Sequence, residues 1–369
     1  MRLANLFAGL SGLLAGLLAP IAANAATPTE VASRDGANLQ RPRWSMDGTK
    51  LAYEANYHEK KVIETWVGDP TSRGFTQVTA GARAPTAATS GFATSNKGGA
   101  VIYELCWAPP AIGRYLFSAS NDVGEFDLYI SGGGPVAAAP GADGGAVWSP
   151  DGRWVAFTSA RTGEGDLYLL DTNAIEQAPR RISSAAGSSE LYPAWSADST
   201  RLVYVGHSRT GDNLWLKPAL DANPTQITSW PGNQIRPRFA PTGTQIAFYA
   251  NHEDLERFDL YVMDAAPGAT PRLLVKGVVP DISGPSWTPD GTRILYVKDD
   301  DERYDPIAAV TVASGASANL AIDTVGHGDL DVAKRPDGKV WVSYVAQGRK
   351  GGGERDFDRL YIVPLDPTP

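Results

Sequence analysis

The sequence predicts an all-β protein: a seven-bladed β-propeller of four-stranded antiparallel blades, closed by an N-terminal strand. Three observations carry this expectation. A short motif recurs along the chain, each copy is followed by the same succession of strand patterns, and the last succession stops one strand short.

The motif is clearest in Ala146-Val147-Trp148-Ser149-Pro150-Asp151-Gly152, Pro193-Ala194-Trp195-Ser196-Ala197-Asp198-Ser199 and Pro285-Ser286-Trp287-Thr288-Pro289-Asp290-Gly291. Weaker copies are Arg43-Trp44-Ser45-Met46-Asp47-Gly48, Arg238-Phe239-Ala240-Pro241-Thr242-Gly243 and Lys334-Arg335-Pro336-Asp337-Gly338. Cys106-Trp107-Ala108-Pro109 completes the set, with two extra residues before Gly113. The markers Trp44, Trp107, Trp148, Trp195, Phe239, Trp287 and Lys334 follow one another at steps of 63, 41, 47, 44, 48 and 47 residues.

Each copy continues alike. A strand ends in the aromatic and turns at Pro-Asp-Gly, where Pro presets φ and Gly accepts a positive φ. A second strand follows, such as Trp154–Thr158 or Ile246–Tyr249, then a third of the Asp166-Leu167-Tyr168-Leu169-Leu170 type, then a fourth such as Arg181-Ile182-Ser183. Four antiparallel strands per repeat of roughly 40–50 residues describe a propeller blade. A helical reading fails, because no 3.6-residue period is sustained and Gly and Pro recur too often. The last copy ends on its third strand, Leu360-Tyr361-Ile362-Val363, and Glu30-Val31-Ala32-Ser33 at the start matches the missing fourth. Pairing them would latch the ring and remove its free edges. Six blades plus one degenerate copy is the alternative, since the seventh marker is a lysine. A buried Trp removes on the order of 200 Å² from water, worth roughly 5 kcal/mol, so a Trp recurring once per blade is expected to pack between blades.

Composition adds limits. Of 369 residues, 33 are Lys or Arg and 41 are Asp or Glu, for a net charge of −8. That balance argues against nucleic acid, whose phosphates demand a basic surface. Met1-Arg2, the apolar run Leu3 to Ala22 and Ala23-Asn24-Ala25 have the order of a signal peptide, with cleavage expected after Ala25. The expected organisation is a signal peptide at 1–25 and a single propeller domain at 26–369, periplasmic or secreted. No later segment is apolar enough to span a bilayer as a helix. The single cysteine, Cys106, has no internal disulfide partner and sits in a strand-like setting, as a small buried apolar residue would.

The Trp-Ser-Pro-Asp-Gly turn, the Asp-Leu-Tyr strand and the Ile-Ser/Thr strand together resemble the WD-like repeats of the TolB-like β-propeller family, across essentially all of Pro28–Leu365. Such repeats serve TolB itself, the gating propellers of prolyl-oligopeptidase relatives and some polysaccharide lyases, so the resemblance specifies fold better than function. The chain departs from TolB proper in that its repeats begin directly after the signal peptide, without an N-terminal α/β domain, and from the oligopeptidases in having no hydrolase domain.

No Gly-x-Ser-x-Gly, Walker loop, His-Glu-x-x-His or paired-cysteine zinc pattern occurs. Twelve residues beyond each marker stand Asn56, Ala160, His207, Asn251, Asp299 and Ala346, with Asn121 in register once its blade's insertion is allowed. These positions lead into the loops between second and third strands, which open on the same face as the loops leading into first strands. All four histidines fall in these two loop classes: His58, His207, His252 and His327. Arg209, Arg236, Arg238, Asp299 and Asp331 join them, as do Asp300 and Asp301. The expected binding face is therefore His58, His207, Arg209, Arg236, Asn251, His252, Asp299, His327 and Asp331. The bland reading of each is that Asn, Asp and His are normal at strand ends and turns. The acidic run 299–302 with Asp305 lacks the EF-hand spacing and reads as a solvated loop. Insertions at 81–99 and 351–353 are expected on the same face, as lids or plain loops.

The expected function is a protein- or peptide-binding scaffold at the cell envelope, with no cofactor required and no enzymatic activity. The resemblance implies a periplasmic or outer-membrane-associated protein or peptide as partner. The alternative is a metal-dependent polysaccharide lyase of the oligogalacturonate type, in which His207, His252 and His327 would hold a divalent metal beside Arg209 or Arg236 and a glycan would be the ligand. A purely structural envelope role is the third reading. Convergence of the imidazoles on one point separates the first two.

Overall fold

A computed structural model describes residues 27–60, 62–78, 102–120, 125–163, 165–183, 188–299, 305–322, 324–347 and 357–365. The predicted signal segment, the 81–99 and 351–353 insertions, Asn121, and residues 300–302 lie outside them.

The described chain is built of antiparallel strands in consecutive meanders. After β1 (Thr29–Ala32), the first unit is β2 (Asn38–Trp44), β3 (Leu51–Tyr57), β4 (Val62–Asp69) and β5 (Gly74–Gln77). The second is β6 (Ile102–Trp107), β7 (Tyr115–Ser120), β8 (Phe126–Ile130) and β9 (Pro135–Val136). The third is β10 (Asp143–Trp148), β11 (Trp154–Ser159), β12 (Asp166–Asp171) and β13 (Arg180–Arg181). The fourth is β14 (Ser189–Trp195), β15 (Leu202–Ser208), β16 (Gly211–Lys217) and β17 (Thr225–Gln226). The fifth is β18 (Gln234–Phe239), β19 (Gln245–Ala250), β20 (Phe258–Asp264) and β21 (Arg272–Val279). The sixth is β22 (Ser286–Trp287), β23 (Arg293–Lys298), β24 (Ile307–Thr311) and β25 (Ser317–Asn319). The last is β26 (Val325–Lys334), β27 (Val340–Gln347) and β28 (Asp358–Leu365), and β1 completes it in the order β1-β28-β27-β26.

The latch is concrete. Thr29 pairs with Ile362 and Glu30 with Tyr361, Val31 is buried, and Arg359 Nη1 reaches Glu30 Oε2 at 2.9 Å. An antiparallel strand from the N-terminus thus covers the edge that β28 would otherwise expose.

The fifth and sixth units fuse into one eight-stranded sheet. The cause is local. Pro280 and Pro285 flank a stretch that forms no inner strand, so β22 has two residues, and the end of β21 pairs instead with β23 through Val278 to Lys298 and Val279 to Val297. Proline lacks the donor that a ladder needs.

Seven apolar clusters hold the molecule together, and each lies between two neighbouring units. Leu105, Trp107 and Phe117 pack with Ala52 and Val78 between the first and second, while Trp44, Leu51 and Tyr53 pack with Ala333, Val345 and Leu360 across the closure. The aromatic markers sit in these seams, as predicted: Trp148 between the second and third units, Trp195 between the third and fourth, Phe239 between the fourth and fifth, and Trp287 between the fifth and sixth. Three indoles add the same hydrogen bond, to a carbonyl of the preceding inner strand one residue before its marker. Trp107 Nε1 donates to Arg43 O at 3.0 Å, Trp195 Nε1 to Val147 O at 3.1 Å, and Trp287 Nε1 to Arg238 O at 3.3 Å. In the last unit, where Lys334 replaces the aromatic, the neighbouring Arg335 lays its guanidinium over Trp44 and Trp341 and donates to Gly48 O.

Candidate functional site

The inner strands surround a central channel of about 570 Å³ lined from all seven units. A repeated irregularity decides which side chains enter it. The pairing of first with second strand slips at one place in each of five units, between Gln40 and Arg43, Tyr103 and Cys106, Gly144 and Val147, Leu191 and Ala194, and Ile235 and Arg238, and at two in the last, between Val325 and Gly328 and between Gly328 and Leu330. Such bulges re-aim side chains.

Three residues before each aromatic marker, the backbone is left-handed: Arg41 (φ 49°), Glu104 (φ 56°), Gly145 (φ 61°), Tyr192 (φ 54°), Arg236 (φ 55°) and Gly284 (φ 87°). In the last unit Asp329 (φ 37°) takes this conformation. The left-handed region costs an L-residue roughly 1–2 kcal/mol, and glycine occupies it freely. Two units use glycine. Four instead place Arg, Glu, Tyr and Arg there, and all six residues line the channel.

Carboxylates in the channel wall (Glu54, Glu104, Asp331) and two others nearby in the fold (Asp281, Asp329) accept from main-chain N–H groups, mostly of neighbouring units. Glu54 Oε1 accepts from Glu104 N at 2.8 Å, Glu104 Oε2 from Gly145 N at 2.7 Å, Asp329 Oδ2 from Arg41 N at 2.7 Å and Asp331 Oδ2 from Trp44 N at 2.6 Å. Asp281 accepts from Ser283 N at 2.6 Å and also from Leu330 N. These bonds tie the first unit to the second, the second to the third, the sixth to the seventh and the seventh to the first. Burial raises the carboxyls of Glu54 and Asp331 above the ordinary range, and burial together with the Asp329 charge pushes Asp281 up to about 6.

The guanidinium groups differ among themselves. Arg41 reaches Glu54 Oε1 at 3.4 Å, and although burial works against its charge, Glu54 and Glu104 hold it above the ordinary arginine value. Arg43 donates to Pro42 O at 2.8 Å. Arg238 donates to Ser283 O at 2.6 Å, and burial brings it down to about 10. Arg236 is half-buried, its guanidinium 3.6 Å from the centre of the Tyr192 ring, and burial lowers it despite the nearby charges of Glu104 and Asp281. Among the described residues it makes no side-chain hydrogen bond or ion pair. Cys106 also lines the channel, where its thiol, raised to about 11 by burial, accepts from Trp148 N at 3.4 Å.

The sequence-predicted residues divide. Arg236 and Asp331 line the channel. His58 and Arg209 are exposed in turns after second strands, and exposed His207 holds Asp212 Oδ1 at 2.5 Å through Nδ1. His252 stacks on Trp230, ring centres 4.0 Å apart. Buried Asn251 is a loop clasp, accepting from Asn233 N at 2.7 Å and donating to Leu255 O at 2.8 Å. Asp299 lies 3.4 Å from Arg257 Nε. His327 is buried, with Thr324 Oγ1 at 2.9 Å from Nε2 and Asp305 O at 2.8 Å from Nδ1, and burial lowers its pKa. Each histidine thus has its own surroundings, and among the described residues no three His, Cys, Asp or Glu side chains gather to hold one metal ion. The lyase alternative finds no support in this arrangement. Sequence reasoning missed Arg41, Glu104 and Tyr192, although the signal was present: they occupy one fixed offset from the motif.

Meanders about a central channel with aromatic seams define the class as a β-propeller. The family model for the TolB beta propeller domain matches residues 184–351. Among curated proteins, the chain is 26% identical over 170 residues to an uncharacterized protein, Atu1656, of Agrobacterium fabrum, covering 43% of this chain and 54% of that one. It is 25% identical over 218 residues to the Tol-Pal system protein TolB of Francisella tularensis subsp. mediasiatica, covering 47% and 48%. The matches span about half the length of these relatives. A puromycin-hydrolyzing peptidase of Mycobacterium tuberculosis shares the fold at a TM-score of 0.63 and 14% identity, over 85% of this chain and 49% of that one. The chain is thus a β-propeller whose residues 184–351 match the TolB beta propeller domain.

Proposed function

We propose that this propeller is an exported, periplasmic or secreted scaffold that takes a segment of a protein partner into one mouth of its central channel. The carrying observation is the left-handed ring, in which four units hold Arg41, Glu104, Tyr192 and Arg236 where glycine would be the cheaper residue. Backbone strain that the surrounding structure sustains is concentrated at functional sites. Likeness to TolB, a component of the Tol-Pal system by its name, favours a protein partner at the cell envelope. The signal-like segment 1–25 favours export.

The test is a photo-crosslinking amino acid placed at Tyr192, in the channel, and separately at Asp264, exposed at the end of β20, in the full chain expressed in its own cells. A discrete protein adduct from the Tyr192 position alone is expected. Equal yields at both positions, or none at Tyr192, would rule out the channel as a partner site.

A further inference from the structure

We infer that the channel holds its ligand by a carboxylate group, received by the Arg236 guanidinium in the half-buried space between Tyr192, Arg41 and Glu104. This rests on reading the channel as a site for a protein segment and specifies the chemistry of what enters it.

The argument starts from the fate of each charge. Glu54, Glu104, Asp281, Asp329 and Asp331 all accept main-chain N–H groups, which fixes their positions. Arg41 has Glu54, Arg43 has Pro42 O, and Arg238 has Ser283 O. Among the described residues Arg236 stacks on the face of Tyr192 and makes no side-chain hydrogen bond or ion pair. Arg236 lines the channel, and stacking on a ring face occupies none of its N–H donors. A planar fork matches a carboxylate with two parallel hydrogen bonds. The guanidinium is also preorganised. Tyr192 stacks against it, both residues are held in left-handed bulges, and partial burial has removed part of its water. An anion arriving there regains what burial cost, whereas a neutral group of the same shape does not. The charges of Glu104 and Asp281 are felt by Arg236, and main-chain hydrogen bonds hold each carboxylate where it stands.

The carboxylate can come from a chain terminus or from an Asp or Glu side chain. Full-length protein with ¹⁵N-labelled arginine is titrated with N-acetylglycine, which presents a chain-end carboxylate, with N-acetylglutamic acid α-amide, which presents a side-chain one, and with neutral N-acetylglycinamide. Arg236→Gly assigns the Arg236 Nε–H resonance and serves as the control for folding, because glycine adopts φ 55° without strain. The expected result is a saturable shift of that resonance with at least one carboxylate, and binding of the neutral amide at least about tenfold weaker. The source is the probe that binds more tightly. An equal response to the amide, or no saturable response to either acid, overturns the inference. Partner crosslinking at Tyr192 that survives Arg236→Gly would defeat the carboxylate and leave the channel reading intact; absence of crosslinking in the unsubstituted protein would defeat both.

Discussion

Arg236 and Tyr192 occupy the same position in adjacent units, both with left-handed backbones, and the guanidinium of one lies 3.6 Å from the ring centre of the other. The fold requires only a left-handed residue at this position, as Gly145 and Gly284 show. The size and charge of the two side chains are therefore surplus to the fold, which separates their contribution to binding from their contribution to stability.

Arg236→Gly is accordingly expected to leave stability unchanged or raise it by up to about 1 kcal/mol, as strain relief offsets the entropy that glycine adds to the unfolded chain. Urea unfolding with an unchanged m-value would check this. Gly284→Ala should move the other way. It has φ 87°, and an added Cβ would stand 2.8 Å from Arg236 O and 2.9 Å from Arg238 Cγ. A loss of roughly 1–3 kcal/mol is expected. Destabilisation by Arg236→Gly as large as that of Gly284→Ala would mean that the arginine is a structural part of the bulge.

Glu54 joins two units through one buried carboxylate. It accepts from Gln40 Nε2 at 2.8 Å and from Glu104 N at 2.8 Å, and it faces Arg41. Glu54→Ala strands a buried main-chain donor and removes one of the carboxylates facing Arg41, so a loss of roughly 2–4 kcal/mol is expected. Glu54→Gln keeps the shape and one acceptor, and should lose less. The midpoint of urea unfolding measures both.

Most of the fold was legible in the sequence because it is written in side chains that repeat. Trp148, Trp195 and Trp287 mark seams, and the missing last strand pointed to Glu30–Ser33, where β1 is found. The fused fifth and sixth units were not legible. That fusion follows from how Pro280 and Pro285 interrupt an inner strand, and the motif around Trp287 looks regular. Of the site, loop position alone singled out histidines that fold into separate local arrangements, such as His252 on Trp230. The channel ring was hidden because Arg, Glu, Tyr and Gly share no chemistry. What they share is a backbone conformation, visible in the sequence only as an offset of three from the motif.

Asp281 gives the sixth seam a pH dependence. Its carboxyl is raised to about 6 by burial and by Asp329, against roughly 4 in an unfolded chain. A raised native pKa means that the folded state binds the proton more tightly. The resulting stabilisation is complete below about pH 4 and is lost as pH rises through 6. Against an Asp281→Asn variant, the natural protein should lose on the order of 2 kcal/mol between pH 4 and pH 7. Denaturant midpoints of both proteins across that range test it, and parallel curves would mean that the two main-chain donors already compensate the charge.

The latch is the last point at which the fold can be made to fail selectively. Val31 is 3% exposed in the seam between the last and first units, and β1 covers the outer edge of β28 over Thr29–Ala32. Val31→Asp puts a charge into that seam without a partner, so β1 should detach before the meanders unfold. Detachment exposes the ladder edge of β28, a template for pairing with another chain. The expected outcome is concentration-dependent association on size exclusion, with near-native strand content by circular dichroism. Thr29→Asp, which changes an exposed residue of the same strand, should remain monomeric wherever the unsubstituted protein does. If Val31→Asp also behaves as the unsubstituted protein, the seven seams hold the ring closed without the N-terminal strand. If it loses strand content altogether, the closure is part of the single cooperative unit, and the edge never exists as a separate, sticky state.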